Sequence, residues 1–172
     1  PYPSLSIECN PMSIRALLNQ YNLRPNKKLG QNFLVDPVHL ERIVGAGEIH
    51  ADEMVLEIGP GLGALTELLL EAEARVTAVE LDRGFLRVLS DRFGNNPNFK
   101  LHHSDILETN VAELLAAWVP RPDRYKVIAN IPYYITSAVI RHLLENKDLT
   151  QPRPELLVLL KQKVVAQRSC AA

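Results

Sequence analysis

Glu57-Ile58-Gly59-Pro60-Gly61-Leu62-Gly63-Ala64 is the stretch on which the fold turns. It follows the short apolar run Met54 to Ile58 and opens the stripe Leu62, Leu65, Leu68, Leu69 and Ala72, which recur at helical spacing. A strand, a glycine turn and a helix in that order form the opening of a βαβ unit. Three glycines within five residues exceed what a simple turn requires. They allow a tight bend and let backbone approach a ligand with no Cβ in the way. As a bare pattern, Gly59, Gly61 and Ala64 also satisfy the G-x-G-x-x-A dinucleotide fingerprint.

Outward from this turn the alternation continues. Arg75 to Leu81 is the next predicted strand, and Asp82 is placed to cap a helix bearing Leu86, Leu89 and Phe93. Phe99 to His103 is a third strand, followed by a helix with Val111, Leu114, Leu115 and Trp118. Tyr125 to Ile131 is a fourth, Ser137 to Leu144 a helix, and Glu155 to Val165 begins as a strongly apolar fifth strand. Upstream, Asn10-Pro11 and Asp36-Pro37 each pair a capping side chain with proline at the first helical position. The first opens a short helix on Ile14, Leu17, Leu18 and Tyr21, the second a helix to about Gly45, and Leu23 to Leu34 between them is a loop. Strand and helix in strict alternation predict a doubly wound, mainly parallel α/β sheet.

Composition bounds the rest. With 172 residues, 47% of them hydrophobic and 23% charged, one buried domain is expected rather than disorder or a repeat. No apolar run approaches the length that a bilayer requires, so no membrane partner and a cytoplasmic location are expected. Cys9 and Cys170 lie at opposite ends with no Cys/His cluster, and His102-His103 reads as a strand edge, so no metal site is expected. Net charge is −1, yet both ends are basic: residues 1–35 carry four basic side chains against Glu8, and from Arg141 onward six face three acids. That distribution suits phosphate contacts, although it equally describes solvated surface.

Three further positions carry chemistry. Glu80 ends the second strand 21 positions after Gly59, where an acid can accept both ribose hydroxyls of an adenosine-containing cofactor. Asp105 ends the third strand; it can accept a bond from an adenine amine, or cap the turn that follows. Asn130-Ile131-Pro132-Tyr133 ends the fourth strand. An aromatic amine is a poor nucleophile because its lone pair is delocalised into the ring. An Asn oxygen, together with a backbone carbonyl, can accept both N–H bonds and favour a pyramidal nitrogen whose lone pair faces a methyl donor. Tyr133 offers a face on which to stack the extruded base. A dinucleotide-dependent dehydrogenase would share the glycine turn and Glu80 but gives no reason for this tetrapeptide. A non-catalytic nucleic-acid-binding protein on the same fold is the other alternative.

Leu29-Gly-Gln-Asn-Phe-Leu34, Glu57-Ile-Gly-Pro-Gly-Leu-Gly63, Val79-Glu-Leu-Asp82, Ser104-Asp105 and Asn130-Ile-Pro-Tyr-Tyr-Ile-Thr136 together resemble the ribosomal RNA adenine N6,N6-dimethyltransferase family of the KsgA type, from about Arg24 to the last residue. The related erythromycin-resistance methylases more usually carry Lys where this chain has Leu62, which favours the small-subunit enzymes. The resemblance implies a Rossmann-like class I fold, S-adenosyl-L-methionine as cofactor, and methylation of two adjacent adenosines near the 3′ end of small-subunit rRNA within the pre-ribosomal particle. It further implies cofactor contacts from Asn32, Leu34, Gly59, Gly61, Glu80, Asp105 and Asn130, with Asn130 and Tyr133 catalytic and the protein a monomer. Residues 1–35 would form the N-terminal helix and cofactor-entry loop, and 36–172 the catalytic domain. Members of the family normally continue past the equivalent of Ala172 into further strands and a helical domain, so the chain is expected to be a fragment that binds cofactor but methylates ribosomal substrate poorly.

Overall fold

The computed structural model describes residues 14–23, 37–118, 124–131, 133–145 and 152–160. The Asn10-Pro11 helix start, the loop bearing Asn32 and Leu34, Pro132, the side chain of Tyr133, both cysteines and the segment beyond Leu160 lie outside the described residues. In chain order the elements are α1 (Ile14–Gln20), α2 (Pro37–Ala46), β1 (Met54–Ile58), α3 (Ala64–Glu71), β2 (Arg75–Glu80), α4 (Arg83–Phe93), β3 (Phe99–His103), a 3-10 turn (Ile106–Glu108), α5 (Val111–Leu115), β4 (Lys126–Ala129), α6 (Tyr133–Leu144) and β5 (Leu156–Leu159).

The strands form one parallel sheet in the order β3-β2-β1-β4-β5. The doubly wound expectation holds. The chain builds outward from β1 to β3, then returns to the other side of β1 for β4 and β5, so the winding reverses between β1 and β4. In open α/β sheets, ligands bind outside the carboxyl ends of the strands at such a reversal.

Successive side chains on a strand face opposite sides, and the burial follows that rule. Val55, Val76, Ala78 and Ile128 face α2, α3 and α4, where Ile43, Leu65, Leu69, Phe85, Val88, Leu89 and Phe93 complete one core layer. Leu56, Ile58, Val79, Val127 and Ala129 face α5 and α6, meeting Val111, Leu114, Leu115, Val139 and Leu143. Covered on both faces, β1, β2 and β4 carry near-continuous apolar runs, as parallel strands do. β5 pairs with β4 alone among the described residues, and its four side chains are half-buried.

Several element boundaries and one helix face differ from the reading above: α3 starts at Ala64, after Leu62, and β4 is Lys126–Ala129 rather than Tyr125 to Ile131, so Asn130 follows the strand. β2 ends at Glu80, leaving Leu81 outside the strand. α5 stops at Leu115; Trp118 lies beyond it, donating its indole N–H to Thr77 Oγ1 at 2.7 Å, with the Lys100 ammonium 5.3 Å above its ring. α6 begins at Tyr133 rather than Ser137. Tyr133, Tyr134, Ile135 and Thr136 are middling helix formers, but burial of Thr136 and Val139 outweighs so weak a preference. On α4 the buried face is Phe85, Val88, Leu89 and Phe93, with Leu86 half-buried, because i, i+3, i+4 spacing from Phe85 keeps those four in one stripe. Asp82 caps α4 as expected, its Oδ1 accepting the Gly84 N–H at 2.8 Å.

Gly63 joins the glycine turn to this core. Its φ is +83°, and a Cβ there would meet Phe93 Cε2 at 2.4 Å and Leu89 Cδ2 at 3.1 Å. Gly63→Ala is therefore expected to cost about 2 to 4 kcal/mol through left-handed backbone and overpacking together. A urea titration measures this, and an unshifted midpoint would contradict the packing argument.

Candidate active site at the carboxyl edge of the sheet

The glycine turn is set by backbone geometry. Gly59, Gly61 and Gly63 have φ of 67°, 59° and 83°, the left-handed region that only glycine enters freely. The Gly59 N–H still donates to Val79 O at 2.9 Å, so the turn departs from a strand end held by β2. Around Gly59 the space is open; a Cβ would touch only Ile131 Cγ2, at 3.8 Å.

Two side chains fasten the turn. Glu80, 6% exposed, accepts the Gly61 N–H on Oε2 at 3.0 Å and the Asp82 N–H on Oε1 at 2.8 Å. Burial pushes its carboxyl up from the ordinary value, and those N–H donors offset only part of the rise. From α4, the Arg92 guanidinium donates to the Leu62 carbonyl and, at 3.0 Å, to Glu67 Oε2. The sequence reading gave Arg92 no part in the site, because its partner lies 30 residues away and leaves no periodic trace.

Register places the other expected residues beside the turn. Ile58 pairs with Val79 on one side and Ala129 on the other, so the next positions along, Glu80 and Asn130, flank Gly59. Asn130 is half-buried, and the following Ile131 is in the core. Ser104 N–H donates to Glu80 O at 3.3 Å, bringing Asp105 to the same edge. Asp105 Oδ1 accepts the Leu107 N–H at 2.9 Å, so the capping that the sequence offered as its second role is present and engages one carboxylate oxygen. The Ser104 hydroxyl is buried with no partner among the described residues. Tyr133 opens α6 directly after this edge, and Tyr134 beside it is 53% exposed, as is Leu81 after Glu80 at 55%. Gly59, Gly61, Glu80, Asp105 and Asn130 are thus brought together; Asn32, Leu34 and the Tyr133 ring lie outside the described residues.

Glu57 is the residue whose place the sequence did not foretell. It is 1% exposed, Oε2 accepts the Thr66 hydroxyl at 2.7 Å, and Oε1 has no partner among the described residues. Burial pushes its carboxyl up to about 8, the Thr66 bond opposing and the Glu80 charge adding to the rise. The only hint in the sequence is a charged residue inside a strand otherwise fit for burial on both faces.

The linkage has a definite sign. Between about 4.5, its ordinary value, and about 8 the folded state holds a proton on Glu57 that the unfolded chain has lost. This contribution therefore favours folding least at high pH: stability falls as pH rises through that window and levels above it, by a few kcal/mol in all. Glu57→Gln is expected to remove that slope. Denaturant midpoints at several pH values measure it; parallel curves for parent and variant would contradict the assignment.

Elsewhere, a hollow of about 260 Å³ at the amino edge is lined by three cations, Arg75, Arg124 and Lys126, against Asp52, Glu53 and Glu155. Arg75 is bound to Asp52 and Lys126 to Glu53, both at 2.8 Å, so it is charge-matched from within, and it lies at the opposite end of the strands from the glycine turn. Among the described residues no three His, Cys, Asp or Glu side chains are grouped to hold a metal, and no helix is long and apolar enough to cross a membrane.

Comparison with known proteins agrees with this geometry. The chain is 43% identical over 169 residues to the ribosomal RNA small subunit methyltransferase A of Dehalococcoides mccartyi, covering 98% of this chain and 54% of that protein. It is 44% identical over 150 residues to the protein of the same name from Geobacter metallireducens, covering 87% and 52%. The chain therefore spans about half the length of the curated relatives that it matches. Among solved structures it resembles the 23S rRNA methyltransferase ErmE, with 32% identity and a TM-score of 0.64 over 79% of this chain and 50% of that one. A dimethyladenosine transferase from Plasmodium falciparum gives 30% and 0.63 over 82% and 47%. The sequence profile of the ribosomal RNA adenine dimethylases matches residues 22–172, and this chain belongs to that family.

Proposed function

We propose that this chain is the cofactor-binding and catalytic part of an enzyme that transfers methyl groups from S-adenosyl-L-methionine to N6 of adenosines in small-subunit rRNA, during assembly of the small subunit. The observation that carries the reading is the row Glu80, Gly59, Asn130 across the carboxyl ends of β2, β1 and β4. It sets an acid for an adenosine, open backbone for close approach, and an amide acceptor for an amine side by side. Greater identity to small-subunit enzymes than to the 23S enzyme favours the small-subunit substrate, as does Leu62 in the glycine turn.

The residues present fit the cofactor. Gly59 has open space where a Cβ would stand, Leu81 leaves an apolar surface beside Glu80, and the Ser104 hydroxyl next to Asp105 is buried with no partner among the described residues. When bound, the cofactor supplies an electrophilic methyl group on a positively charged sulfur. In the reading proposed here, Glu80 takes the ribose hydroxyls, Asp105 uses its remaining acceptor capacity for the adenine amine, and Asn32 and Leu34 close the entrance. Asn130 accepts an N–H of the target amine and holds its lone pair toward the methyl group, while the Tyr133 ring stacks on the extruded base. No strong general base is required, because methylation makes the amine far more acidic and water takes the proton. Rate then comes from alignment and exclusion of water. Residues 36–172 are the catalytic unit in this scheme, residues 1–35 its entry segment, and the enzyme works as a cytoplasmic monomer on the pre-ribosomal particle.

The test is calorimetry with S-adenosyl-L-methionine, followed by incubation of the protein with unmethylated small-subunit particles and mass analysis of the digested RNA. Cofactor binding with N6,N6-dimethyladenosine in the digest supports the reading. Binding of NADH in place of S-adenosyl-L-methionine, or methyl groups at another base, would overturn it.

A further inference from the structure

Glu57 has no part in the scheme above, and its surroundings are unusual for an acid. From α3 it receives the Thr66 hydroxyl, while Glu67 of the same helix is tied to Arg92. From β2 it faces Glu80, another acid. The β4 residues alongside, Val127, Ile128 and Ala129, are apolar. One of its oxygens is wholly buried with no partner among the described residues. A carboxylate so placed lacks a counter-charge among the described residues, and a low-dielectric interior favours its neutral form. Two positions further along the chain, just past the end of β1, is Gly59, where the ligand turn begins. A cation seated over that turn would be the counter-charge that Glu57 lacks.

The inference rests on the methyltransferase reading, in which the ligand exists in two charge states: the methyl donor is a sulfonium cation and the spent product a neutral thioether. We propose that Glu57 is a specificity-determining residue that distinguishes them, losing its proton to solvent when the cationic donor occupies the site and regaining one when only the neutral product remains. The carboxyl O–H bond breaks on donor binding. Methyl transfer then moves the positive charge from sulfur to the amine, which releases its own proton to water, and the Glu57 O–H bond re-forms from solvent. The consequence is a site that holds the donor in preference to the product, more strongly as pH rises.

The experiment is calorimetry on the protein as its own gene encodes it, with S-adenosyl-L-methionine and S-adenosyl-L-homocysteine, in two buffers of different ionisation enthalpy across about pH 6 to 9. The donor-to-product affinity ratio is expected to rise with pH, by up to about tenfold per unit, and to level near the value of about 8 at which Glu57 titrates in the free protein. Near neutral pH, donor binding should release more protons than product binding. Glu57→Gln should flatten the ratio and remove the difference. An infrared difference spectrum of the unsubstituted protein needs no variant: a protonated-carboxyl band should vanish on donor binding and persist with product. A ratio flat with pH, or an equal slope in Glu57→Gln, overturns the proposal while leaving the methyltransferase reading intact. If neither ligand binds, both fall together.

Discussion

Asn130→Ala is expected to keep the fold and to lower the single-turnover rate of methyl transfer by at least about a hundredfold, with cofactor affinity falling by no more than about tenfold. The sheet holds the backbone on either side of this position. Ala129, just before it, pairs with Ile58 on one side, and its carbonyl accepts the Leu160 N–H at 3.0 Å on the other; Ile131, just after it, is buried in the core. Alanine there keeps those flanking backbone contacts and removes the amide that faces the target amine in the proposed scheme. Without its oxygen the amine lone pair relaxes back into the ring, and misalignment by about an ångström costs on the order of a hundredfold. Single-turnover rates with saturating cofactor and RNA isolate that step from binding. A rate within about fivefold of the parent would mean that another group orients the amine.

What was legible in the sequence follows from what a parallel α/β fold makes local. β1 and β3 have the limits read from sequence, because each is a short apolar run between turn residues. Once the alternation is recognised, the carboxyl end of every strand falls on one edge, so Glu80, Asp105 and Asn130 could be assigned to a common site without any contact being known. Their lateral order could not. That Glu80 and Asn130 flank Gly59 depends on the hydrogen-bond register of β2-β1-β4, which alternation does not encode.

The features missed are those made by distant partners. Arg92 reaches Leu62 and Glu67 from a helix whose pattern advertises only its apolar stripe. Glu57 reads as one polar residue in a strand; its significance lies in having no counter-charge among the described residues, which only the packing of distant segments reveals. Asp105 is a different case. A carboxylate at a strand end before a turn serves equally as cap and as ligand, and the structure assigns one of its oxygens to the Leu107 N–H. The start of α6 at Tyr133 rather than Ser137 goes with burial of Thr136 and Val139 against the sheet, a tertiary effect that outweighs weak local preference.

Glu80→Ala is expected to weaken S-adenosyl-L-methionine binding by about 5- to 150-fold, the range corresponding to about 1 to 3 kcal/mol for unsatisfied polar partners. Two losses contribute: the ribose hydroxyls lose their acceptor, and the Gly61 N–H loses the oxygen, 3.0 Å away, that fastens the turn. A double-mutant cycle separates them. A 2′-deoxy form of the cofactor should bind the parent more weakly, yet bind Glu80→Ala about as well as the ordinary cofactor does. If instead both proteins discriminate the two ligands equally, the ribose contact lies elsewhere and Glu80 acts only through the turn. Global stability should change little, because burial pushes this carboxyl up and its ionised form is maintained at a cost to folding. A large fall in the unfolding midpoint would therefore show that fastening the turn matters to the whole sheet. Unchanged cofactor affinity would remove the acid at the end of β2 from the site, and with it the argument that the row across β2, β1 and β4 binds an adenosine.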